Sequence, residues 1–169
     1  LRSFPLDTIS SISCEQMAAF TTQAFATLSR DQIKQIPINA IKCISKPQLS
    51  SLPPNAVKGF TKKQIAALSR HVFSAMDEPQ LRKLSREAIT GLQKKQLSTL
   101  SGAELSALKP RMLKAFPIDA ISGLKSKSLD ALNKRQVRSF TDNQLAGLNK
   151  KRFKNDSKLL QRPVCLLFL

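Results

Sequence analysis

Between Ser45 and Leu68 the large apolar residues fall at Leu49, Leu52, Val57, Phe60, Ile65 and Leu68, in alternating steps of three and five. Continued in both directions, the steps give an eight-residue repeat that runs without a slip. One register passes from Leu1 through Ile9, Met17 and Phe25 to Leu145 and Phe153. The other passes from Phe4 through Ile12, Phe20 and Leu28 to Phe140 and Leu148, and every member of both is apolar. Eight of the nine Phe lie in these registers, so aromatic residues are used for packing. A repeat this short sets the architecture before any other feature does.

An apolar pair three apart suits one face of a helix. Eight residues at about 100° each leave a remainder of about 80°, so an unbroken helix would smear the stripe around its surface. A continuous helix or coiled coil is excluded, and the helix must restart in every octad. The residue after each second-register position supplies the restart. Ser13, Thr21, Ser29, Ser45, Thr61, Ser69, Asp77, Ser85, Ser101, Asn133, Thr141, Asn149 and Ser157 are types whose side-chain oxygen caps a helix N-terminus. Pro5, Pro37, Pro53 and Pro117 take the same place. Gln or Glu follows three residues later in Ser13/Gln16, Ser29/Gln32, Ser45/Gln48, Thr61/Gln64, Asp77/Gln80, Ser101/Glu104, Asn133/Gln136 and Thr141/Gln144, the spacing of a capping box. Pro47, Pro54, Pro79 and Pro110 fall within the first two helical positions, where a missing N–H costs little.

Small residues precede the second-register apolar position at Ala19, Cys43, Gly59, Ala67, Gly91, Gly123 and Gly147, which predicts close approach between neighbouring helices. The third helical position alternates between Gln and Ala from Gln16 to Gln64, which predicts a sixteen-residue unit of two short helices forming a hairpin. Burying two apolar side chains contributes about 3–6 kcal/mol per octad, against roughly 8–16 kcal/mol of backbone entropy. No octad folds alone, and the expected fold is all-α, an α-solenoid of very short helices. A β-solenoid is the competing architecture for a short exact repeat. The three–five spacing, the capping boxes and a composition rich in Lys, Gln, Ala and Leu stand against it.

The repeat covers residues 1–153. Residues 154–169 form a basic, then apolar, tail expected to fray or to cap the last unit, and the apolar end is too short to span a bilayer. The chain starts in mid-repeat without Met, as a fragment or processed product would, and shows no signal peptide. Asn155 opens a glycosylation sequon that matters only if the protein is secreted.

Twenty-eight Lys and Arg against eleven Asp and Glu give a net charge of +17. The basic residues occupy non-core registers. Lys34, Lys42, Lys58, Lys62, Arg70, Arg82, Arg86, Lys94, Lys114, Lys134, Arg138 and Lys150 are the candidate polyanion-binding positions. A field of this size attracts an acidic protein, an anionic glycan or nucleic acid, and it also keeps a repeat protein soluble. Single-strand nucleic-acid binding by base stacking is disfavoured, because the chain has no Trp and no Tyr to stack on bases and its Phe are core residues. Nucleic-acid binding would be nonspecific and strongly salt-dependent.

No nucleophile–base set, metal cluster or glycine-rich phosphate loop is present, so neither catalysis nor a cofactor is expected. His71, the single His, stands beside Arg70 as a surface residue. Cys14, Cys43 and Cys165 are too few and too scattered for a zinc site or a disulfide framework, and Cys43 is expected to pack as a small buried residue.

From Leu49 to Leu68 the apolar spacing and the Ser- and Pro-led octads resemble the mesothelin, otoancorin and stereocilin family. They are also similar to short Gln/Ala octad repeats in some large secreted bacterial proteins. The resemblance covers residues 1–153. It implies a noncatalytic superhelix of short helices, extracellular or at the cell surface, that serves adhesion or attachment. This chain departs from the animal family in being more regular, poor in Cys and strongly basic.

Overall fold

A computed structural model describes residues 5–148, and the candidate Lys150, the caps Asn149 and Ser157, Cys165 and the 154–169 tail lie outside the described residues. Every described element is an α-helix of four to six residues. The chain forms two compact units, Leu1–Gly91 and Leu92–Leu169. In the first lie α1 (Leu6–Ser10), α2 (Cys14–Ala19), α3 (Thr22–Phe25), α4 (Arg30–Gln35), α5 (Ile38–Ile41), α6 (Lys46–Ser51), α7 (Pro54–Val57), α8 (Lys62–Ala67), α9 (Arg70–Phe73), α10 (Glu78–Lys83) and α11 (Arg86–Ile89). In the second lie α12 (Lys94–Leu97), α13 (Gly102–Ala107), α14 (Pro110–Leu113), α15 (Ile118–Ile121), α16 (Ser126–Leu129), α17 (Lys134–Val137) and α18 (Asp142–Gly147).

The helices begin where the caps predict. All eight capping boxes form, from Ser13/Gln16 to Thr141/Gln144. Gln93 adds a further box with Gln96, although it is not one of the usual capping types. Thr21, Ser69 and Ser85 cap the alternate helices by accepting from the third N–H. Lys109 and Lys125 provide no side-chain cap, and the helices that follow them, α14 and α16, stop after four residues.

The sixteen-residue alternation appears as helix length, six residues then four, from α2 to α11. In the shorter members the last turn tightens into i→i+3 bonds, such as Cys43 N–H to the Ala40 carbonyl and Gly91 N–H to the Ala88 carbonyl. The packing partner differs from the simple hairpin expectation. Each helix sits on the third one along the chain, α1 on α4, α2 on α5 and α3 on α6 in the first unit, and α12 on α15 and α13 on α16 in the second. Connections of two to four residues join helices of little more than one turn, too short to bury a face against their predecessor alone, and the chain coils through three to four helices before it meets itself. Each unit is thus an α-solenoid of very short helices. Among the described residues both apolar registers are buried except at the half-buried Phe20, with Phe25, Ile33, Leu49, Val57 and Ile65 fully buried in the first unit and Leu105, Leu113 and Ile121 in the second.

The structure corrects the reading of the cysteines. Cys14 and Cys43 form a disulfide with their Cα atoms 5.4 Å apart, and neither is fully buried. Their separation of 29 residues matches the length at which the coil returns to itself, so Cys14 at the start of α2 meets Cys43 just after α5. A count of cysteines carries no trace of that return distance.

Candidate polyanion-binding residues and their neighbours

The return distance is set by glutamine. Gln64 accepts the Thr61 N–H through Oε1 at 2.9 Å, and its Nε2 donates to the carbonyls of Ile33 and Ile36, both at 2.8 Å. Those carbonyls are at the C-terminal end of α4, where helix geometry leaves acceptors without intrahelical partners. One amide therefore closes the start of its own helix and the end of a helix one coil earlier. Gln48 repeats the device on Met17 and Phe20, and Gln80 on Leu49 and Leu52. In the second unit Gln136 reaches Leu108 and Gln144 reaches Leu113 and Phe116. At Ser128 the shorter hydroxyl does half the task, donating to the Leu100 carbonyl at 2.7 Å.

Small residues complete the contact. A Cβ on Gly59 would collide with the Arg30 carbonyl, one on Gly91 with the Lys62 carbonyl, and one on Gly123 with that of Lys94. None of these glycines has positive φ, so close backbone approach, not conformational freedom, requires them.

All eleven candidate basic residues within 5–148 are exposed. Lys62, Arg70, Arg86, Lys94 and Lys134 open their helices, Lys34 and Arg82 lie in the bodies of α4 and α10, and Lys42, Lys58, Lys114 and Arg138 follow the last residue of theirs. Arg82 pairs with Glu78 at 2.8 Å across one helical turn, an exposed pair worth a few tenths of a kcal/mol at most. Glu15 is fully exposed. The Ser13 hydroxyl donates to its carboxylate at 2.8 Å and, with the Glu15 backbone N–H, holds that carboxyl below its ordinary range.

The coil brings some candidates together. The contact of Gly59 with the Arg30 carbonyl sets the end of α7 against the start of α4, and Gln64 sets the start of α8 against the end of α4. The backbone positions of Lys34, Lys58 and Lys62 are thereby neighbours, joined by those of Arg30, a non-core cation by register, and Lys63, both of them exposed and outside the candidate positions. A search for basic residues 28 or 29 apart would have found them, since Arg30 pairs with Lys58, and Lys34 with Lys62 and Lys63, at those separations.

Among the described residues no group of His, Cys, Asp and Glu could hold a metal ion, and no helix is long and apolar enough to cross a membrane. No protein-family model and no curated protein sequence matches the chain.

Proposed function

We propose that the protein is a noncatalytic repeat scaffold that binds an extended acidic partner, a protein or an anionic glycan, in adhesion or attachment outside the cell or at its surface. The observation that carries this reading is how the polar side chains divide. Those inside are consumed by the fold: among the described residues no buried side-chain nitrogen or oxygen lacks a hydrogen-bond partner. Of the charged side chains outside, among the described residues, most are cations, and they stand in solvent. A chain with +17 net charge and its described interior polar groups occupied has its cationic exterior left for recognition. The Cys14–Cys43 disulfide supports an oxidising, extracellular setting, because such bonds persist there and are rare in the cytosol. The resemblance to the mesothelin, otoancorin and stereocilin family points the same way.

Retention on immobilised heparin, polyglutamate and duplex DNA, each measured across a sodium chloride series, tests the reading. Heparin or polyglutamate should retain the protein at low salt and release it steeply as salt rises. Absence of retention on all three at low salt would overturn it.

A further inference from the structure

We infer that the patch formed by Arg30, Lys34, Lys58, Lys62 and Lys63, where α7 and the first turn of α8 meet α4, is a binding site for a linear sulfated glycan. This assignment rests on the polyanion-binding reading above and narrows it to one place and one chemical class.

Three observations carry it. First, the site draws cations from two successive coils of the first unit. Arg30 and Lys34 come from α4, Lys58 from the residue after α7, and Lys62 and Lys63 from the first turn of α8. The backbones are held against one another by the Gly59 approach to the Arg30 carbonyl and by the two hydrogen bonds from Gln64. The backbone positions that carry the charges are therefore fixed relative to one another by buried structure. Second, all five side chains are exposed and, among the described residues, none is engaged in an ion pair, while Asp31 is the single acid on the three helices involved. Packed helix axes lie about 8–10 Å apart, so unpaired cations on adjacent coils repel within one Debye length, and an anion laid across them relieves that repulsion. Third, the chemistry fits sulfate better than a nucleobase or a carboxylate peptide. Phe60, the aromatic residue of this segment, is buried beneath it at 2 % exposure and offers no stacking face. Four of the five cations are Lys, compact point charges on flexible stems that need no planar, two-pronged partner. They suit a polymer whose anionic groups vary in position along the chain. An oxidising compartment, as the disulfide indicates, is also where sulfated glycans are met.

The test compares heparin affinity of the full chain with that of two triple variants carrying the same loss of charge. One is Lys58→Ala, Lys62→Ala and Lys63→Ala. The control is Lys109→Ala, Lys125→Ala and Lys127→Ala, three exposed second-unit lysines that make no cap hydrogen bond. Circular dichroism melting establishes that both remain folded. The patch variant should lose on the order of tenfold or more in affinity and show a shallower salt slope, with the control within about threefold of the parent. Equal losses in the two variants would overturn the placement while leaving polyanion binding intact. Desulfated heparin, single-stranded DNA or polyglutamate binding as tightly as heparin would overturn the ligand class. Failure of the parent to bind any of them at low salt would overturn both this assignment and the reading it rests on.

Discussion

At Gln64 one side chain must accept at one end and donate at the other. The amide meets both requirements, giving Oε1 to the Thr61 N–H and both hydrogens of Nε2 to the carbonyls of Ile33 and Ile36. Glutamate satisfies an ordinary capping box equally well, as Glu104 does for Ser101, but it cannot donate when ionised. Gln64→Glu would keep the cap, orphan two acceptors and press a buried carboxylate against them. The expected cost is about 3 kcal/mol at neutral pH, read as a lowered urea midpoint. Burial beside carbonyls raises the folded-state pKa of the new carboxyl above its unfolded value. The folded variant then binds more protons than the unfolded chain, so its stability falls as pH rises between the two values. Much of the loss should return near the ordinary Glu pKa of about 4, where the protonated acid donates one bond. A midpoint insensitive to pH over that range would show that the amide hydrogens do not hold the coils together.

Between elements the controlling quantity is how closely two coils can approach. Gly91→Ala would drive a Cβ into the Lys62 carbonyl, a backbone atom that cannot rotate aside, and should destabilise by about 1–3 kcal/mol. The same change at Gly102, where the obstacle is the Ala131 methyl, should cost less, and thermal melting of the two variants checks the order. At the other end of the first unit the disulfide closes a 29-residue separation, and breaking it with Cys14→Ser and Cys43→Ser should cost about 3–4 kcal/mol by chain entropy. Faster amide exchange in α2 and α5 would be its local signature. Helix starts and inward faces were legible in the sequence because caps and apolar steps act within four residues. The return distance was not, since it depends on how far many slight bends accumulate, and no local signal marks that Gln48 will meet Met17 or that Cys14 will meet Cys43. Its only trace was the choice of Gln over Glu at the third helical position. For the same reason Lys34, Lys58 and Lys62 stand out in the sequence one by one as non-core cations, while no local signal brings them together with Arg30 and Lys63.

At the scale of the whole molecule, charge works against the fold that displays it. A net charge of +17 on 169 residues repels itself, and exposed ion pairs such as Arg82–Glu78 offset little of that repulsion. The Gln64, Gln80 and Gln144 links are uncharged and lie where salt does not reach them. Screening therefore removes repulsion while leaving the main cohesive contacts untouched. Raising sodium chloride from about 20 mM to about 500 mM, which shortens the screening length several-fold, should lift the melting temperature by a few degrees. Over the same range heparin affinity should fall by orders of magnitude, because each bound anion then competes with free chloride. Calorimetry and a binding titration on one preparation give both slopes. Opposite signs are the expected outcome of a neutral interior carrying a cationic exterior. A melting temperature that falls with salt would mean that attractive charge pairs, not hydrogen-bonded amides and packed apolar registers, dominate the cohesion of the coils.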